Sequence, residues 1–338
     1  MHALNGRTAD DVWSAAARLF DSDALARKQA GRGGDTMEAL HVGMSIELPR
    51  ERWVVSRTPA INPAFAFVEV FWILAGRRDS GLLLHWNPRL SRFCGGRAEY
   101  HGAYGGRLRS HFGIDQLDRV YHALRANPDT RQAVLEIWDA RVDLPDEHGI
   151  PASEDIPCNV VAMPKVRDGR LDWLQVIRSN DLFLGVPHNI VQFTSLQEVL
   201  AGWLGISLGS YHQVSDSLHV YMHDIDAVQA SVTRVPLPAN VDSLAIDRAS
   251  WDQVMEVVMT RLDAMTRSRT KSNLRSLVAI SDAPSAYENA LRIAAADSAR
   301  RRGWHDLAAE FVANVANPAL HTLWERWRER TLRTSPTK

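Results

Sequence analysis

The chain has 338 residues, 45% of them hydrophobic and 23% charged, and a formal net charge of −1. That length holds one large domain or two ordinary ones and can bury a core without covalent staples. The near-neutral balance gives no global field for DNA or an anionic membrane, so any phosphate site has to be built locally. The two cysteines, Cys94 and Cys158, make neither a disulfide framework nor a four-cysteine zinc site, and a cytoplasmic location is expected. The opening residues show no basic region followed by a long apolar run, so no signal peptide is read. No uncharged apolar run reaches the ~18–20 residues of a membrane span, and neither metal nor membrane is expected.

In chain order, Val12, Ala16, Leu19 and Phe20 fall on one face and predict a helix over 10–28. Gly31, Gly33 and Gly34 break it around Arg32, and 37–48 reads as a strand region. Asn62-Pro63 starts a helix with an apolar face (Phe65, Val68, Phe71, Trp72, Leu74) that Gly76 ends, with Glu69 amid the apolar run. Residues 86–106 read as irregular, 117–125 as a helix and 133–138 as a strand. After an acidic loop over 145–155 come a strand at 171–177 and an apolar helix at 189–204, ended by Gly205 and Gly209. Past Asp242 four more helices are expected, at 251–261, 284–301, 304–315 and 318–332.

The chemistry-bearing residues concentrate between Asp155 and Tyr221. Pro157-Cys158 is followed by the run Arg178-Ser179-Asn180-Asp181-Leu182-Phe183-Leu184-Gly185-Val186-Pro187-His188-Asn189, and then by His219-Val220-Tyr221. Upstream stand Glu69-Val70-Phe71-Trp72-Ile73-Leu74-Ala75-Gly76 and His101-Gly102-Ala103-Tyr104-Gly105. A lone cysteine is usually a small core residue. A cysteine with a guanidinium to lower its pKa is a nucleophile candidate.

These pieces, in this order, resemble the thymidylate synthase family. The pattern matched is Pro-Cys, then Arg-Ser-x-Asp-x-x-Leu-Gly-x-Pro-x-Asn, then His-x-Tyr. The resemblance implies an α+β fold, a mixed sheet covered by helices, over residues 1–245, with an added helical extension over 246–338. It also implies the reaction. A cysteine thiolate adds to carbon-6 of a pyrimidine nucleoside monophosphate, and carbon-5 then attacks the one-carbon unit of 5,10-methylenetetrahydrofolate. By position, Cys158 is the nucleophile, Arg178 and Ser179 bind phosphate, and His219 and Tyr221 hold the sugar 3′-hydroxyl. Asn189 reads the base at N3 and O4. Asp181 and Gly185 lie by the pterin, Asp181 serving catalysis as well, and Tyr104 reaches the cysteine region. Glu69 relays protons, with a carboxyl whose aromatic surroundings are expected to raise its pKa. Arg32 matches a phosphate arginine in a glycine-rich segment. Arg131 matches the first of an arginine pair donated across a homodimer interface.

The departures from the pattern bear on substrate and product. Asn189, where deoxycytidylate hydroxymethylases carry Asp, favours dUMP. Leu90 and Phe93 stand where a tryptophan pair faces the folate, Gln132 replaces the second interface arginine, and Asn159 replaces the histidine after the nucleophile. Ser217-Leu218-His219 departs from Asp-x-His. A methylating enzyme excludes water so that the folate delivers hydride; a hydroxymethylating one lets water add. Leu90 and Phe93, the Ser217-Leu218-His219 segment, and the polar residues Arg333–Lys338 where family members carry an apolar tail favour 5-hydroxymethyl-dUMP as product; Asn159 is read as divergence only. The alternatives are a thymidylate synthase making dTMP and dihydrofolate, and an inactive homologue that binds a nucleotide or RNA.

Overall fold

The computed structural model describes residues 2–21, 26–31, 33–231 and 236–333. Seven strands form one mixed sheet: β1 (His2–Gly6), β2 (Arg27–Gly31), β3 (Gly34–Ile46), β4 (Leu135–Glu136), β5 (Asn159–Arg167), β6 (Arg170–Asp181) and β7 (Ser207–Tyr221). The order is β1-β3-β7-β6-β5-β4, with β2 paired to β3. The β1–β3 and β6–β7 pairs are parallel and the others antiparallel. This is the α+β mixed sheet expected from the resemblance.

Alternation along the long strands separates two faces. On one face Ala162, Trp173, Gln175, Ile177, Tyr211 and Gln213 are buried. On the other, Val161, Met163, Leu174, Val176 and Val214 stay partly exposed. One helix (Gly185–Leu204) lies on the buried face, and a second (Pro63–Leu74) packs against that helix. Helix α1 (Pro63–Leu74) starts where the Asn62 side chain accepts hydrogen bonds from the Ala64 and Phe65 amides, with Pro63 as its first residue. All of α1 except Glu69 is buried. Helix α2 (Gly185–Leu204) follows β6 and ends at Gly205, whose φ of +67° lies in the left-handed region that favours glycine.

The C-terminal helices dock onto this core. Helices α3 (Arg248–Arg267), α4 (Ser285–Arg301) and α5 (Pro318–Arg333) all pack against α1. Trp86 Nε1 donates to the Ala294 carbonyl at 3.1 Å, and Tyr287 Oη donates to the Leu244 carbonyl at 2.9 Å. Asn317 donates to Asn240 at 2.6 Å and to Asp242 at 2.8 Å, and Asn289 donates to the other Asp242 oxygen at 2.8 Å.

Several local expectations are corrected. The first helix stops at Ala17, and Arg27–Gly31 is a strand, because its backbone pairs with β3. The segment read as irregular contains helical turns at Pro88–Leu90, Ser91–Cys94 and Tyr104–Gly106. The strand near 133–138 is only Leu135–Glu136. Gly209 does not end the helix but sits within β7, where an added Cβ would fall 2.2 Å from Asp172 Oδ1. Arg32 lies outside the described residues.

Candidate active site

Cys158 stands just before β5, where its chain segment is gripped by β6. Arg178 donates its backbone N–H to the Cys158 carbonyl at 2.9 Å. The Arg178 guanidinium donates to the carbonyls of Pro157 at 3.0 Å and Ile156 at 3.2 Å, and its carbon lies 5.1 Å from the Trp138 ring centroid. The cation is thereby fixed beside the cysteine by two carbonyls and an aromatic face. Cys158 itself is partly exposed and forms no disulfide.

Tyr104 and Cys94 approach from other elements. Gly105 lets the turn carrying Tyr104 sit against α1, since a Cβ there would fall 2.6 Å from the Ile73 carbonyl oxygen. Burial pushes the Tyr104 phenol well above its usual range, and the nearby Cys158 adds to the shift. A hydrogen bond with Asn159 opposes it. Asp155 accepts the Gly102 amide at 2.8 Å, and burial raises its carboxyl despite hydrogen bonds from Gly102 and Cys94. Cys94, given no role from sequence, thus contacts Asp155, and burial raises its thiol first and Asp155 second.

Glu69 projects from the mid-turn of α1 toward α2. Gln192 Nε2 donates to Glu69 Oε2 at 2.6 Å, and His188 Nδ1 lies 3.5 Å from the same oxygen. The His188 ring also meets Phe65 edge-on at 5.3 Å. His188 and Gln192 are one helical turn apart, so one face of α2 brackets the carboxylate. Sequence reading missed both. The signal was their spacing from Asn189, but the contact itself spans 123 positions.

Asn189, buried on the same helix, donates to Asn180 Oδ1 at 3.0 Å and accepts from Asn159 Nδ2 at 3.2 Å. Asn159 in turn accepts from Gln175 Nε2 at 3.0 Å. Asp181 caps the β6–α2 turn, accepting the Phe183 and Leu184 amides at 2.8 and 3.0 Å. Burial raises its carboxyl, against those two amides and His219. Asp181 and His219 are register partners across β6–β7, and Gly185 lies beside both Asn180 and Asp181. His219 and Tyr221 share one face of β7, their rings 5.5 Å apart. The Tyr221 ring also lies under Gly33, where a Cβ would come within 3.0 Å of it. Ser179 is register partner to Ser217, whose hydroxyl donates to Glu38 at 2.5 Å.

The structure therefore gathers Cys158, Arg178, Tyr104, Glu69 and Asn189 at one end of the sheet, with Asp181 and Gly185 on the turn beside them. Arg131 is exposed. Leu90 packs against the core, and Phe93's side chain lies outside those described.

A partly exposed cysteine whose chain segment holds a fixed guanidinium, with a carboxylate, a phenol and a carboxamide nearby, is an arrangement suited to nucleophilic transfer. Residues 18–265 match the thymidylate synthase family model, and the chain belongs to that family. It is 38% identical over 209 residues to the deoxyuridylate hydroxymethyltransferase of Bacillus phage SP01, covering 59% of this chain and 54% of that protein. It is 33% identical over 234 residues to the deoxyuridylate hydroxymethyltransferase of Pseudomonas phage M6, covering 64% of this chain and 65% of that one. The thymidylate synthase of Ascaris suum is 33% identical over 144 residues, 42% of this chain and 45% of that protein. The matches thus span between half and two thirds of the two phage proteins.

Proposed function

We propose that the protein transfers a one-carbon unit from 5,10-methylenetetrahydrofolate to carbon-5 of dUMP and releases 5-hydroxymethyl-dUMP. The observation that carries this reading is the position of Cys158, held next to Arg178 and one residue from the amide that orients Asn189. In this reading the Cys158 thiolate adds to carbon-6, and the electron pair moves to O4, where Asn189 donates a hydrogen bond. Carbon-5 then attacks the one-carbon unit that the folate supplies. Asp181 and Gly185, on the turn beside Asn180, are the groups placed to meet the pterin. The partly buried Asp181 carboxyl, already accepting two amides, suits a ring N–H donor. Glu69, held by Gln192, takes the proton from carbon-5. Glu69 passes that proton toward N5 of the folate as the bond between N5 and the one-carbon unit breaks, so that tetrahydrofolate leaves and an exocyclic methylene remains at carbon-5. Water then adds to the methylene, its proton passing to the freed Glu69 carboxylate, and the returning electron pair expels the Cys158 thiolate from carbon-6 and restores the carbon-5 to carbon-6 double bond.

Arg178, Ser179 and Arg32 are assigned to phosphate, and His219 and Tyr221 to the sugar. Two features support a homodimer with Arg131 donated to the partner's phosphate: Arg131 is exposed, and the sheet face bearing Val161, Met163, Leu174, Val176 and Val214 is only partly covered. Residues 246–338 are assigned as an extension, whose described helices, up to Arg333, brace α1. A cytoplasmic setting is assigned with it. Among the described residues no helix is long and apolar enough to cross a membrane, and no acidic, histidine and cysteine cluster suited to a metal is found.

Hydroxymethyl product is favoured over dTMP by Leu90 and Phe93 at the positions of the tryptophan pair, and by the activity for which the two phage relatives are named. Incubation with dUMP and methylenetetrahydrofolate, followed by product mass and dihydrofolate absorbance, tests this. The expected product is 5-hydroxymethyl-dUMP with no rise in dihydrofolate. Stoichiometric dihydrofolate with dTMP establishes the synthase instead. Retention of tritium at carbon-5 of labelled dUMP establishes a binding protein without turnover.

A further inference from the structure

Asn189 is one member of a buried chain of side chains that begins at an indole. Trp173 Nε1 donates to Gln175 Oε1 at 3.2 Å, Gln175 Nε2 to Asn159 Oδ1 at 3.0 Å, and Asn159 Nδ2 to Asn189 Oδ1 at 3.2 Å. The chain continues from Asn189 Nδ2 to Asn180 Oδ1 at 3.0 Å and from Asn180 Nδ2 to Ser215 Oγ at 2.9 Å. Every member but Asn189 is at most 1% exposed, and Asn189 is 6% exposed.

The two ends differ in kind. An indole N–H can only donate, so it requires the oxygen of Gln175. That choice propagates: each amide must turn its oxygen toward Trp173 and its nitrogen toward Ser215. The serine hydroxyl can donate or accept and imposes nothing. We propose that this relay, anchored at Trp173 and carried by Gln175 and Asn159, fixes the direction of the Asn189 carboxamide and so makes the site select uracil over cytosine. Gln175, Asn159 and Asn180 are positioning residues here, acting through Asn189.

The inference rests on Asn189 reading the base. After the relay bonds are made, Asn189 keeps one acceptor lone pair and one N–H. In the observed direction these pair with the N3–H donor and O4 acceptor of uracil. Cytosine offers the reverse, an acceptor at N3 and a donor at the exocyclic amine, and suits the amide only if it turns over. Turning it over in place sets Asn189 nitrogen against Asn159 nitrogen and oxygen against Asn180 oxygen, which the buried relay does not tolerate.

The same amide-to-carboxylate change at two positions has opposite consequences. In Asn159→Asp the new oxygen still accepts from Gln175 but cannot donate to Asn189. Asn189 relieves the oxygen–oxygen clash by turning over, and Asn180 follows because Ser215 can donate to it. In Asn180→Asp the new carboxylate accepts from Asn189 and from Ser215, and Asn189 keeps its direction. Binding of dUMP and dCMP is measured by calorimetry without folate, for the wild type and both variants. The wild type is expected to prefer dUMP. Asn159→Asp should lower the dUMP-to-dCMP affinity ratio by about tenfold or more, and Asn180→Asp should hold it within about twofold. Gln175→Glu, which reverses the relay one step earlier, serves if Asn159→Asp does not fold. An unchanged ratio in both reversing variants, or an equal fall in Asn180→Asp, overturns the proposal while leaving the enzyme assignment intact. A wild type that binds neither nucleotide removes the functional reading and the inference together.

Discussion

Two buried polar networks in the molecule are built to different ends. The one that ties in the C-terminal helices is closed. Asp242 accepts from Asn289 and Asn317, Asn289 Oδ1 accepts the Ala316 amide at 3.1 Å, and Asn317 Oδ1 accepts the Ala319 amide at 3.1 Å. Asn240 donates to the Arg50 carbonyl at 2.7 Å. Each polar atom there spends its bonding on a neighbour in the fold. At the site the pattern is open: His188 Nδ1 and Gln192 Oε1 are buried without a hydrogen-bond partner, and Asn189 keeps one donor and one acceptor site beyond its relay bonds. A closed network contributes stability; an open one forgoes some of it and leaves groups ready for a substrate.

The contrast predicts that substitutions in the open network cost turnover and those in the closed one cost folding. The largest effect is expected at the thiol. Cys158→Ala should lower tritium release from carbon-5-labelled dUMP by at least about 10⁴-fold while leaving the thermal midpoint almost unchanged. A variant that still releases tritium sinks the nucleophile assignment. Glu69→Gln should follow with a loss of about 10²- to 10⁴-fold in the rate of turnover, and a smaller change in nucleotide affinity.

On the closed side, Asp242→Ala strands the donors of Asn289 and Asn317 in a buried joint. A loss of about 3 kcal/mol in unfolding free energy is expected, with activity of the folded fraction retained at low temperature. Denaturant titration measures the first and product formation the second. If the folded variant is inactive, the joint also shapes the site and the separation drawn above fails.

A second contact of the C-terminal helices carries a pH dependence. His85 sits where the Trp86 segment meets α4: its Nε2 lies 3.0 Å from Ser298 Oγ and its ring lies 4.6 Å from Trp86. Burial lowers its pKa from 6.5 to about 4, with Arg302 and Arg301 adding to the fall and Asp297 opposing it. A depressed pKa means the unfolded chain binds the proton first. Stability is therefore full above pH 6.5 and is lost as pH falls toward 4, by an amount of order 3 kcal/mol. His85→Gln should flatten that part of the unfolding profile. An unchanged slope assigns the acid sensitivity to other groups.

How far the chain could be read in advance depends on whether a feature is local. Helix α1 was legible because Asn62-Pro63 and its apolar run specify it on their own. Strand β2 was not. Its residues Arg27–Gly31 are exposed, and only backbone pairing with β3 makes them a strand. Helical spacing over 10–20 therefore ran on too far, and its true end at Ala17 is set by tertiary structure. The site shows the same division. Cys158, Arg178, Asp181 and Asn189 stand out by their spacing within one stretch. The partners that tune them do not: Gln175 meets Asn159 only because β5 and β6 pair, and Gln192 meets Glu69 only because α2 crosses α1.

The smallest effect expected is the one that most finely separates open from closed. His188 faces Glu69 with a ring nitrogen that has no hydrogen-bond partner, and its other contact is the edge of Phe65. If the imidazole only filled space, His188→Phe would restore an aromatic ring of similar breadth and change little. If it serves Glu69 during proton transfer, the phenyl ring removes that help without disturbing Gln192, whose bond to Glu69 comes from the next turn of α2. We expect His188→Phe to keep dUMP affinity and the thermal midpoint while lowering turnover by about tenfold. The water-addition step should suffer more than carbon-5 exchange, so tritium release should outrun formation of 5-hydroxymethyl-dUMP in the variant. Equal loss in both readouts points to a general packing defect, and no loss in either places His188 among the groups that merely line the cavity.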